Sequence, residues 1–454
     1  MQSSEYDPQP SQDDLNKYPA ILKSRYERIK GLGKGKHESV ILYGLKTDSD
    51  QEDSQSQDDQ NVFAVKFEEI IVTRVQQLLK ESLLIKKMSR ELNMRIIPEY
   101  ISHGLAKEDT RSYNYLIMER LDTNLFLYIK EKMTKIPKSQ HQWFLQIVMV
   151  RLLEALQKFH TTGFVHLDIK PRNIMIREAN DKIGQNQDEF CFINLGTAQE
   201  YNDSDGDHRV FRQTEVIKGA IFFASYNNLM MNDLSRRDDL ESLFLTMIYI
   251  INRLVLNQAV GFPYEKSVEI PENINLLQAA QKLEIAMNLS SKVDQYLFKQ
   301  NHTNPLIKQI IRCFQIVRKL SFEDKPDYLK LVEIIQEGNN NLDKILQTSK
   351  SMNQYLKEAQ SNEDNYQNEE KRREEERKRE EQKKRDEERK REEERIREEE
   401  RKRAEERRRQ AQREEERRLE AIREEDRRKE REEERRIAHE NRSFFKKLIK
   451  WDWS

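Results

Sequence analysis

The hydrophobic positions of this chain change their period along its length. Residues 26–45 have the texture of a β-hairpin built around a glycine cluster, and FAVKF at 63–67 reads as a third strand. Residues 72–88 then carry Val75, Leu78, Leu79, Leu83 and Ile85 close to helical spacing, while YLIM at 115–118 reads as another buried strand. After Leu121 the pattern turns helical: 143–159, 238–256 and 305–320 each have apolar periodicity and helical length. The spacing predicts an α+β chain with a small strand-rich lobe at 20–121 and a larger helical lobe at 122–347, with a cleft between them. The longest apolar stretch, 243–256, contains Asn252 and Arg253 and is too short to cross a bilayer, so it reads as a core helix.

Polar stretches divide the rest. Residues 1–19 are Ser, Gln, Asp and Pro rich and are expected to be disordered, and the acidic insert at 47–61 reads as a loop between strands. A polar linker at 348–368 leads into 369–442, which is almost entirely Glu, Arg and Lys. Its few apolar residues, Ile396, Leu419, Ile422 and Ile437, are too sparse for a coiled-coil seam. Glu precedes a base by four residues again and again, as in Glu374/Lys378 and Glu387/Arg391, and each such pair adds about 0.2–0.5 kcal/mol to a helix. The tract is expected to form one solvated helix of roughly 110 Å, the alternative being a disordered charged tail. Residues 443–454 mix aromatic and basic side chains, which suits peripheral membrane contact, docking on a protein, or folding back on the globular body.

Charge and cysteine content narrow the setting. Lys and Arg number 81 against 82 Asp and Glu, with both signs interleaved in the charged tract, so no basic surplus points to nucleic acid. Cys191 and Cys313 lie far apart with no metal-ligand spacing, which suits a reducing compartment. The polar, acidic start MQSSEYDPQPSQDD has no signal-peptide character, and the expected location is cytoplasmic.

Candidate chemistry concentrates in FVHLDIKPRNIM at 164–175 and CFINLGTA at 191–198, which read as a protein-kinase catalytic loop and metal-binding turn. Phosphoryl transfer needs groups for the nucleotide phosphates, groups for metal ions and a carboxylate for the substrate hydroxyl proton. Lys66 on the third strand would pair the phosphates and Glu81, fifteen residues on, would orient it. Asp168 would be the base, Lys170 would reach the transferring phosphate, and Asn173 would offer an oxygen to a metal. Gly33, Gly35 and Val40 belong to the glycine loop that would roof the nucleotide.

LSRRDDLESL at 234–243, FEDKPDYLKL at 322–331 and FASYNN at 223–228 resemble the casein kinase I family of Ser/Thr protein kinases, over about residues 24–337. The resemblance implies the bilobal protein-kinase fold, ATP with Mg²⁺ or Mn²⁺, and a protein substrate. It also implies that Asp239 tethers the catalytic loop and that Met118, Glu119 and Leu121 line the adenine pocket. Like that family, the chain lacks an Ala-Pro-Glu motif after the activation segment.

Several positions depart from the pattern. Asn194 stands where the family has a metal-binding Asp, which removes a charge worth roughly 4 kcal/mol at 4 Å in an effective dielectric of 20. Glu200 or Asp188 would be the carboxylate supplied from elsewhere if the metal site is compensated. Glu38 replaces the third loop glycine and faces either the phosphates or solvent. Leu167 replaces the Arg of His-Arg-Asp, Phe222 replaces an Arg that helps bind acidic groups, and Arg172 replaces an Asp. Two readings follow: a Ser/Thr kinase of reduced activity, or a pseudokinase that serves as a scaffold for a partner.

Overall fold

A computed structural model describes residues 10–34, 38–46, 61–71, 76–136, 138–178, 188–203, 205–271 and 273–338, together with 424 and 429. Gly35, nearly all of the acidic insert, the linker, the charged tract as a whole and the aromatic tail lie outside the described residues.

After a short helix α1 (Gln12–Leu15), strands β1 (Ile21–Leu22), β2 (Tyr26–Lys34), β3 (Glu38–Leu45), β4 (Val62–Glu69), β5 (Tyr100–Glu108) and β6 (Arg111–Glu119) form an antiparallel sheet of order β1-β2-β3-β4-β6-β5. Side chains alternate across it. Ile41, Tyr43, Val65, Phe67, Tyr113, Tyr115 and Ile117 pack on one face. Ala64, Leu116 and Met118 join the main core on the other, and Lys66 shares their parity on β4 and β6. Helix α2 (Leu78–Lys86) covers that second face and continues into a wider π-helical turn, Lys87–Glu91.

The expected helix at 72–88 is thus shorter, with 72–75 outside the described residues. Its apolar assignments also need correcting: Leu79 and Leu83 are 48% and 52% exposed. The inner stripe is Leu78, Glu81, Ser82 and Ile85, at helical spacing. Burying Glu81 on that stripe turns the two leucines outward.

The second lobe is helical, as expected. Helix α3 (Leu125–Lys135) starts where the Asn124 side chain accepts from the Leu127 amide, 3.0 Å. Helix α4 (His141–Thr161) packs with α6 (Arg236–Leu254), which is apolar on nearly every side and forms the centre of the core. Short α5 (Tyr226–Leu229) precedes α6, and α7 (Ala279–Asp294), α8 (Pro305–Val317) and α9 (Tyr328–Gln336) complete the lobe. Helix α8 opens with Pro305 in its first turn and the Asn304 side chain on the Ile307 amide, 3.1 Å. No described helix is long and apolar enough to cross a membrane. Cys191 and Cys313 are buried free thiols, both pushed up to about 12 by burial.

Small strand pairs hold the cleft loops. β7 (Thr123–Asn124), β9 (Ile174–Arg177) and β10 (Glu189–Phe192) pair in the order β10-β9-β7, and β8 (Phe164–Val165) pairs with β11 (Gln199–Glu200). Residues 166–173 therefore run between β8 and β9, and 193–198 between β10 and β11. Each loop contains a left-handed residue, Leu167 at φ 67° and Asn194 at φ 66°. Asn tolerates that conformation, whereas for Leu it costs roughly 1–2 kcal/mol that the surrounding contacts must offset.

Candidate active site

Lys66 is buried in the cleft, and its ammonium meets three acceptors. Glu81 Oε2 from α2 lies at 2.7 Å, Glu38 Oε2 from β3 at 2.7 Å and Asn194 Oδ1 at 2.9 Å. Burial alone would lower the lysine's pKa, but the Glu81 and Glu38 carboxylates outweigh it and hold the ammonium charged. Burial pushes the Glu81 carboxyl up, against the pull of Lys66. The other oxygen of Glu81 accepts from the Leu195 amide, 3.1 Å, which ties α2 to the turn that carries Asn194.

Asp168 is the acceptor at the centre of the catalytic loop. Its Oδ2 receives Lys170 Nζ at 2.8 Å and Asn173 Nδ2 at 2.7 Å, and its Oδ1 receives the Ala220 amide at 2.8 Å. Asn173 Nδ2 also reaches the Asp168 carbonyl, 2.8 Å. With its oxygen on Lys66, Asn194 turns its Nδ2 toward Asp168 Oδ2, 3.4 Å away. Gly219 lets the chain pass here: a Cβ on it would stand 2.5 Å from the Leu167 carbonyl, at a φ of +67°.

Asp239, at the start of α6, accepts the amides of His166 at 2.6 Å and Leu167 at 2.8 Å, and His160 Nε2 at 2.9 Å. Burial lowers the pKa of both histidines and keeps them neutral. His160 Nδ1 therefore accepts from the Tyr328 hydroxyl. His166 donates through Nε2 to the Ile193 carbonyl, 3.0 Å, and accepts the Asp168 amide on Nδ1, 3.2 Å. The sequence pattern pointed to Asp239 but not to His160; Tyr328 lies in FEDKPDYLKL without being singled out there.

The remaining predicted residues are placed as follows. Gly33 is buried opposite Val40, and Val40 is paired with Lys66 across β3 and β4. Met118 and Leu121 are buried at the junction of the lobes. The Glu119 carboxylate faces elsewhere: it takes Arg177 Nε and Nη2, each at 2.6 Å, and the Glu99 amide at 2.9 Å. Any part Glu119 has in an adenine pocket is thus left to its backbone.

The departures resolve into contacts. Leu167 is buried with Val165, Tyr201 and Leu234 in an apolar cluster. Phe222 packs half-buried against the main core, and Arg172 is half-buried. Asp188 takes the Tyr128 hydroxyl at 2.7 Å and lies 3.5 Å from Lys132, while Glu200 is exposed on β11. Where an Ala-Pro-Glu motif is missing, the chain around α5 is held by buried Glu241, which accepts the Tyr226 amide at 3.1 Å and pairs with Arg318 at 3.3 Å. Burial pushes the Glu241 carboxyl up to about 7.

The donor set fits a divalent ion poorly. Mg²⁺ is held by one or two carboxylates together with substrate phosphates. Here Asn173 and Asn194 are neutral, Asp168 is already met by several donors, and no cluster of three His, Cys, Asp or Glu able to hold a metal occurs among the described residues.

A strand-rich lobe over a helical one, with a Lys–Glu pair above an Asp–Lys–Asn loop, defines the class of proteins that carry a protein kinase domain. The protein kinase domain family matches residues 26–297, and the chain belongs to that family. A probable casein kinase I homolog of Encephalitozoon cuniculi is 28% identical over 269 residues, covering 59% of this chain and 72% of the relative. A probable serine/threonine-protein kinase of Dictyostelium discoideum is 22% identical over 318 residues, covering 70% and 54%. One of fowlpox virus is 27% identical over 241 residues, covering 53% and 71%. Protein kinases in general use ATP and divalent metal ions and act on proteins.

Proposed function

We propose that the chain is a casein kinase I-type Ser/Thr kinase domain with strongly reduced transfer of the ATP γ-phosphoryl group to protein hydroxyls. The observation that carries this reading is Asp168, held at one cleft by Lys170, Asn173 and the Ala220 amide, beneath the Lys66–Glu81 pair. In this reading Asp168 accepts the substrate hydroxyl proton, Lys170 faces the transferring group, and Lys66 faces the phosphates. Gly33 and Val40 roof the nucleotide, with Met118, Leu121 and the Glu119 backbone beside the adenine. Asn173 and Asn194 would offer a metal only neutral oxygens. The expected loss is about a hundred- to thousandfold relative to a carboxylate at 194.

A second reading, a pseudokinase acting as a scaffold, is favoured by Asn194, a neutral amide that reaches both Lys66 and Asp168. In either reading we assign residues 369–442 as a spacer and 443–454 as a segment that docks on a protein or a membrane surface. Thermal shift with ATP, with and without Mg²⁺ or Mn²⁺, and phosphotransfer to casein separate the two. Slow turnover that disappears in Asp168→Asn supports the enzyme; no turnover from the wild-type chain leaves the scaffold.

A further inference from the structure

We propose that Glu38 is a resident anion on Lys66, filling the position of a nucleotide phosphate, so that the cleft selects an uncharged purine nucleoside such as adenosine over ATP. The proposal rests on reading this cleft as a nucleotide site, and it assigns the site's ligand specificity to one residue of the glycine loop.

The placement of Glu38 follows from strand register. β3 and β4 pair Val40 with Lys66 and Glu38 with Glu68, so Glu38 is the diagonal neighbour of Lys66 on one face of the sheet. Ser39 points the other way, where its hydroxyl accepts from Tyr18 at 2.9 Å. The carboxylate thus reaches the lysine because alternation directs it there, and a one-residue slip would reverse the face of the whole strand.

An ammonium has three N–H donors. On Lys66 they are matched by Glu81, Glu38 and Asn194. A phosphate oxygen gains Lys66 only by displacing one of these. Glu81 has a side chain 1% exposed and is fixed by the Leu195 amide, and Asn194 also leans on Asp168. Glu38, 23% exposed, is the partner with room to leave. Even displaced, it stays on the strand above the cleft as a like charge facing the phosphates. The bonded cluster of side chains here already sets the carboxylates of Glu38, Glu81 and Asp168 against the ammonium groups of Lys66 and Lys170. A triphosphate adds several negative charges to it, and a nucleoside adds none.

Calorimetric titration of the full chain with adenosine, AMP and ATP, each with and without Mg²⁺, tests the proposal on wild type, Glu38→Gln and Glu38→Gly. Ligand-free melting shows that each variant folds. Wild type is expected to bind adenosine more tightly than AMP, and AMP more tightly than ATP. Both substitutions should strengthen ATP binding by at least about tenfold while adenosine stays within about twofold. ATP affinity equal to that of adenosine and unmoved by either substitution would overturn the role of Glu38 and leave the kinase reading standing. Absence of binding by any ligand to any form would overturn both.

Discussion

Asp239 and Lys66 are both buried ions with several partners, yet they hold the molecule in different ways. Asp239 receives two backbone amides and a neutral imidazole that is itself steadied by Tyr328. Two of these donors come from the chain path itself, and the third is a buried side chain. Lys66 instead divides its donors among side chains from β3, α2 and the turn after β10. Any ligand that needs the lysine competes with them. The base of the catalytic loop is built as structure, whereas the phosphate end is a set of exchangeable partners, and the departures from the family pattern that touch Lys66 lie at that end.

The comparison is tested first at its rigid pole. Asp239→Ala strands buried donors on His160, His166 and Leu167, and a loss of roughly 3–5 kcal/mol is expected in urea unfolding. A loss below about 1 kcal/mol would mean that the loop is held by something else. Glu241→Gln comes next. The Glu241 carboxyl is raised from 4.5 to about 7 in the folded state, so the unfolded chain releases this proton first and folding is penalised as pH rises across that window. Wild type should therefore lose roughly 3 kcal/mol relative to the variant between pH 4.5 and 7, as an order of magnitude, read from paired denaturation curves. Parallel curves would show that Arg318 compensates the charge fully.

The smallest effect belongs to the exchangeable end. Asn194→Asp sets a carboxylate against Asp168 Oδ2, where an amide donor now lies at 3.4 Å. Its attraction to Lys66 offsets part of that repulsion, so without metal the variant should be less stable by about 1 kcal/mol, and millimolar Mg²⁺ should restore it. A variant insensitive to Mg²⁺ would show that a carboxylate at 194 does not complete a metal site.

Much of this architecture was readable from the chain, because motif order and helical periodicity survive without coordinates. The catalytic loop and the Lys66–Glu81 pairing follow from the order of the kinase motifs, and the central helix α6 from its periodicity. Glu38 was not readable in the same way: its direction depends on the β3–β4 register, which couples residues 18 to 30 positions apart across a polar insert. Leu79 and Leu83 misled for a related reason. Period marked them as inward, but the inner stripe of α2 had been given to Glu81 for its lysine, a tertiary demand that overrides local pattern. Strand β5 and helices α7 and α9 were missed, and α9 supplies the Tyr328 that steadies His160.

The ring of bonds around Lys66 also bears on time. It joins the sheet, helix α2 and the large-lobe turn through one nitrogen, so a visitor that uses the lysine must first wait for a bond between those elements to open. Such a visitor arrives at the pace of that opening, while one content with the adenine end arrives at the pace of collision.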